Sequence, residues 1–142
     1  DEVRGIWDDM VAVMEAMPGF GLAAVQIGMM RRLVVVDASS GRGQAVRMAN
    51  PEVLQASAKM HEQNEASPNL PGVRARVRRP ETVSVRFKNA DGVIERREFD
   101  GLWATSVQHQ IDHLDGRMYF DRLSRMKRQM LLKKAAKLAA RP

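Results

Sequence analysis

Residues 109–113 read HQIDH, two histidines four positions apart with a glutamine and an aspartate among the residues between them. In a helix each residue turns the chain by about 100°, so His113 comes to lie over His109 on one face. That arrangement can grip zinc or iron. A hydrolase with this spacing normally follows its first histidine with glutamate, the base that takes a proton from metal-bound water. Here the position holds Gln110, which has no titratable group. The chain has no cysteine, which excludes disulfides, thiolate ligands and thiol nucleophiles together. A metal would have to use histidine, carboxylate or weaker oxygen donors. By itself an HxxxH pair is a weak signal, because paired core histidines are also satisfied by hydrogen bonds.

The elements that must position the pair can be read outward from it. Residues 102–114 (LWATSVQHQIDHL) predict a helix apolar on nearly all sides, ending at Gly116 as a C-terminal cap position. A helix of that kind runs through the core, so His109, Gln110, Asp112 and His113 each need a partner there. Residues 3–17 predict an amphipathic helix stopped by Pro18 and Gly19, with Val3, Ile6, Trp7, Met10, Val13, Met14 and Met17 on one side. The stretch GFGLAAVQIG is too glycine-rich for a helix and too apolar for a solvated loop, which predicts tight packing. Leu33 to Asp37 and Ala45 to Asn50 read as strands around the turn SSGRG. From Val73, the residues Val73, Ala75 and Val77 alternate with Arg74, Arg76 and Arg78, a half-buried strand. Thr82 to Phe87 and Val93 to Phe99 flank Asn89-Ala90-Asp91-Gly92 and predict a hairpin.

At 142 residues the chain suits one domain, 1–142, with one core. It has no run of 18 or more apolar residues and nothing resembling a secretion signal, so a soluble cytoplasmic protein without a membrane span is expected. It begins at Asp1 without methionine, as a fragment or a processed form would. The net charge of +6 is unevenly placed: residues 122–142 hold eight of the 23 cations and none of the 17 acids. A basic amphipathic helix is therefore expected over 121–140, with Leu123, Met126, Met130, Leu131, Ala135 and Leu138 as its apolar stripe. Such a helix suits a solvated face, RNA phosphates or an anionic lipid surface.

Three separated blocks, in order, resemble the peptide deformylase family, metal hydrolases that remove the formyl group from the initiator methionine of new bacterial-type proteins. The family's motifs have the forms GxGLAAxQ, EGCLS and QHExDH. Gly19-Phe20-Gly21-Leu22-Ala23-Ala24-Val25-Gln26 fits the first at every fixed position. Gln108-His109-Gln110-Ile111-Asp112-His113 fits the third except at the glutamate. Glu65-Ala66-Ser67-Pro68-Asn69 stands at the second. The resemblance implies an α+β fold with antiparallel strands around a central HxxxH helix and a C-terminal helix, lacking the family's N-terminal segment. It implies a divalent metal, Fe2+ or Zn2+, on His109, His113 and the position of Ser67, with Gln110 at the place of the base. It further implies Gln26 as a donor to the oxyanion, Gly21, Leu22 and Arg86 beside the bound peptide, and Glu65 as a structural carboxylate paired with an arginine. An N-formyl-methionyl peptide or nascent chain, and the ribosome through the basic C-terminal helix, are the partners it suggests.

The departures bear on chemistry. A serine hydroxyl at 67 keeps its proton at neutral pH and is a poor ligand. The family's leucine after the cysteine offers a backbone N–H to the oxyanion, and Pro68 has none. Gln110 keeps the shape of glutamate but cannot carry a proton. Ala66 and Asn69 differ as well, so the whole loop has diverged. The expectation is a deformylase-like protein with a degenerate site that retains peptide or ribosome binding. The alternative is an active metal-dependent deformylase using His109, His113 and a non-cysteine third ligand such as His61 or Glu65. A third reading is a structural or RNA-binding module with a vestigial pocket.

Overall fold

The computed structural model describes residues 2–17 and 19–141. Pro18, expected to stop the first helix, and the two terminal residues lie outside them. Helix α1 (Glu2–Ala16) leads into a short strand β1 (Gly21–Ala23), a 3-10 turn (Ala24–Ile27) and strand β2 (Leu33–Val36). Strands β3 (Val46–Ala56), β4 (Met60–Ser67), β5 (Leu70–Pro80), β6 (Thr82–Lys88) and β7 (Ile94–Asp100) follow. Helix α2 (Gly101–Leu114), a second 3-10 turn (Tyr119–Arg122) and helix α3 (Arg125–Ala139) complete the chain. The expected single helix over 121–140 is thus broken at Ser124, whose hydroxyl accepts from Lys127 N–H and caps α3.

All pairings are antiparallel: a five-stranded sheet in the order β1-β2-β3-β6-β7, and a separate β4–β5 hairpin. The LVVV of β2 is buried throughout because the sheet is covered on both sides. Val34 and Val36 join Val85, Phe87, Val107 and Ile111 beneath α2, while Leu33 and Val35 join Trp7, Met10 and Met14 beneath α1. Each such side chain contributes roughly 1.5–3 kcal/mol on burial. The β6–β7 hairpin turns where Asn89 Oδ1 accepts from the N–H groups of Asp91 and Val93, and Gly92 takes a positive φ of 79°.

The β4–β5 hairpin is held by α3: Val73, Val77, Tyr119, Leu131 and Ala135 form a third cluster. Met126 and Met130 do not belong to the buried stripe, being 72% and 65% exposed. Counted at about 100° per residue, they stand opposite Leu131, Ala135 and Leu138, on the face that carries Lys133 and Lys137. Helix α2 therefore lies between the sheet and the hairpin, and its residues 104–113 are all buried.

Candidate active site

The burial of α2 forces its polar residues to find partners inside the protein. His109 Nδ1 lies 2.7 Å from Glu65 Oε1 on β4. A carboxylate facing Nδ1 favours a proton on that nitrogen. Burial first, and then the neighbouring His109, lower the pKa of His113 to about 4, so its imidazole is neutral at neutral pH. The two Nε2 atoms approach to 3.0 Å. Two nitrogens on one tetrahedral metal, at bond lengths of about 2.0–2.1 Å, stand about 3.3 Å apart. The rings thus converge nearly as a shared centre would need.

Behind them runs a chain of buried charge. Arg79, fully buried, makes two hydrogen bonds to Glu65 at 2.6 and 2.8 Å and a third to Asp112 at 2.9 Å. Arg122 then grips Asp112 through two more, at 2.7 and 2.8 Å. Burial alone would raise the pKa of Glu65, but the hydrogen bonds from Arg79 and His109 outweigh it, so the net shift is downward. Asp112 is likewise lowered, burial being outweighed by Arg122 and Arg79. The expectation that Glu65 meets an arginine agrees with this geometry, and the partner that Asp112 needs in the core is the pair Arg79 and Arg122. The sequence marks Arg79 only as part of Arg79-Pro80-Glu81, a segment that resembles one of the family; nothing in it distinguishes this buried arginine from the exposed Arg78 beside it.

Gln110 is 6% exposed and its Oε1 is buried without a hydrogen-bond partner. The amide lies against Gly21: a Cβ there would stand 2.9 Å from Gln110 Nε2 and 2.7 Å from Ser106 Oγ. Glycine is what permits β1 to approach α2 so closely. On the far side of the cleft, Gln26 Oε1 accepts from Ala23 N–H at 2.9 Å, and its Nε2 donates to Asn69 Oδ1 at 3.3 Å. The Ser67 hydroxyl donates to the same Asn69 oxygen at 3.1 Å.

These groups line one cleft of ≈ 280 Å³, which holds Gly21, Gln26, Ser67, Pro68, His109 and Gln110. Met17, Phe20 and Leu102 add apolar wall. Two expected peptide contacts are not brought there. The Leu22 side chain, 2% exposed, packs beneath α1, and Arg86 forms an exposed ion pair with Glu52 at 2.6 Å. Arg86 points outward because it holds the solvent position of β6, where Val83, Val85 and Phe87 point in.

Chain comparison gives these motifs a context. A family model described as "Polypeptide deformylase" matches residues 1–129. The chain belongs to the peptide deformylase family. It is 40% identical over 144 residues to a peptide deformylase of Rhodopseudomonas palustris, covering 99% of this chain and 82% of that protein. It is 42% identical over 142 residues to one of Brucella suis, covering 99% and 81%. The fold is similar to the crystal structure of a peptide deformylase from Legionella pneumophila, with a TM-score of 0.88 at 32% identity over 100% of this chain and 86% of that one. A peptide deformylase from Synechococcus elongatus in complex with actinonin gives 0.88 at 33% identity, over 100% and 80%. The α+β architecture around a central HxxxH helix, with a C-terminal helix, is the family's.

The deformylase family is metal-dependent, and the residues of this chain can be tested against that group. His109 and His113 supply two nitrogens. Ser67 Oγ is neutral and engaged with Asn69. His61 Nε2 lies 2.9 Å from Thr105 Oγ1, and Glu65 is held by Arg79 and by the far nitrogen of His109. Among the described residues no three histidine or acidic side chains are grouped to hold a metal ion. The donor set does not fit the three-ligand centre of the family.

Proposed function

We propose that this chain is a deformylase-like protein that keeps the peptide-binding cleft and lacks efficient hydrolysis. One observation carries the reading: a carboxamide, Gln110, lines the cleft beside His109 at the place of the base, and it can neither take a proton from water nor pass one to a leaving amine. Loss of that proton carrier typically costs about 100- to 10,000-fold in rate. Two further substitutions act on separate requirements, Ser67 on ligation and Pro68 on the donor set for the oxyanion. What speaks for retained binding is the cleft itself, with Gln26 as a fixed donor and Met17, Phe20 and Leu102 as apolar wall for a methionyl side chain of an N-formyl-methionyl peptide.

The test pairs two measurements on protein purified without added metal. Elemental analysis should find far less than one Fe2+ or Zn2+ per chain, and turnover of formyl-Met-Ala-Ser should be at background while the peptide still binds. Stoichiometric metal together with turnover would establish the alternative, an active hydrolase using His109, His113 and a non-cysteine third ligand.

A second element of the proposal concerns α3. Its outer face joins the exposed Met126 and Met130 to Lys133 and Lys137, a surface suited to ribosomal RNA in the cytoplasm. Among the described residues no helix is long and apolar enough to cross a membrane. Replacing Lys133, Lys134 and Lys137 by glutamate should weaken salt-dependent co-sedimentation with ribosomes on the order of 100-fold. Unchanged sedimentation would remove the ribosome from the proposal.

A further inference from the structure

Asn69 sits in the turn that joins β4 to β5, and it ties the two lips of the cleft together. The orientation of its amide follows from its neighbours. Gln26 Oε1 is committed to Ala23 N–H, so the group Gln26 turns toward Asn69 is its Nε2, a donor. Ser67 Oγ accepts from the Asn69 backbone N–H at 3.3 Å, so its proton is free to donate outward. Both donors need an acceptor, and Asn69 Oδ1 takes both, at 3.3 and 3.1 Å. One carbonyl oxygen has two lone pairs, and both are used.

Gln26 Nε2 and the Ser67 hydroxyl are two of the polar hydrogens that this cleft offers to an incoming acceptor. We propose that Asn69 is an autoinhibitory latch: its side-chain oxygen fills the acceptor position before Gln26 Nε2, and a ligand carbonyl binds there by displacing it. The inference rests on the peptide-binding reading above and adds a cost to it. A ligand exchanges its hydrogen bonds with water for bonds that the protein already makes to itself, so the gain per bond is small. The latch is exposed and belongs to a turn, so it can swing out without disturbing the buried charges behind it.

The experiment compares formyl-Met-Ala-Ser affinity, by calorimetry on the full chain, for wild type, Asn69→Ala, Gln26→Ala and the double variant. Asn69→Ala should tighten binding about 3- to 10-fold, and the gain should shrink once Gln26 is alanine, leaving only the freed Ser67 hydroxyl. Asn69→Asp, which keeps the acceptor, should bind no better than wild type. Weaker or unchanged binding by Asn69→Ala would overturn the latch. A ligand-free readout separates this from the parent reading: the side-chain amide proton resonances of Gln26 should shift and exchange faster in Asn69→Ala. If no variant binds peptide, the peptide-binding reading fails by itself. Gln26 resonances unmoved by Asn69→Ala would then overturn the latch as well, whereas a shift would uphold only its first half, that Asn69 Oδ1 occupies Gln26 Nε2.

Discussion

A chain carrying Ser67→Cys, Pro68→Leu and Gln110→Glu together should hydrolyse formyl-Met-Ala-Ser at least about 10,000-fold faster than wild type. The figure combines the low ends of two ranges, about 100-fold for a restored proton carrier and about 100-fold for a restored oxyanion donor. Cysteine adds a thiolate to His109 and His113, whose Nε2 atoms already stand 3.0 Å apart, and so completes three donors. Single reversals should each recover little, because groups that act as a unit are strongly non-additive. The measurements are kcat/KM and metal content for the triple variant and each single one. A triple variant that folds and takes up metal, yet turns over at the wild-type level, would show that the cleft walls have changed along with the chemistry.

Arg79→Leu should destabilise the fold by about 3–5 kcal/mol, because it leaves Glu65 and Asp112 buried without their shared cation. Urea unfolding measures this, and an unchanged midpoint would refute it. Arg79→Lys should recover part of the loss, since an ammonium cannot reproduce the two-pronged grip on Glu65. The same network sets an acid limit. Glu65 and Asp112 both have folded pKa values below their ordinary 4.5 and 3.8, so the unfolded chain binds protons more readily. Their contribution is therefore fully present above about pH 4.5 and is lost as pH falls through the lowered folded values. In Arg79→Leu that acid sensitivity should shrink.

Much of the frame was legible because its signals are local. The β6–β7 hairpin announced itself by two alternating runs around Asn89-Ala90-Asp91-Gly92, and α2 by an apolar surface too wide for a surface helix. Strand β4 was not legible. Its sequence, MHEQNEAS, has no apolar alternation, because the residues it buries most deeply are Glu65 and Ser67, and both are polar. Of the expected α3 stripe, Leu123, Leu131, Ala135 and Leu138 pack in the third cluster, while Met126 and Met130 face water, since methionine alone does not reveal which way it faces. The motifs named His109, Gln110, Gln26 and Ser67, which line the cleft, and His113, whose Nε2 meets that of His109. They could not show that Leu22 turns toward α1 or that Arg86 turns outward, since these depend on which sheet face α2 covers. Asn69 was read as loop divergence, and its reach to Gln26 is a contact between residues 43 positions apart.

The Glu65–Arg79–Asp112–Arg122 chain runs from the β4–β5 hairpin through α2 to the turn before α3, and every link in it is made by the protein's own side chains. A scaffold braced in that way does not need an inorganic ion to hold its reactive corner in shape. Substitution at residues 67, 68 and 110 therefore leaves this brace untouched and carries little penalty to folding.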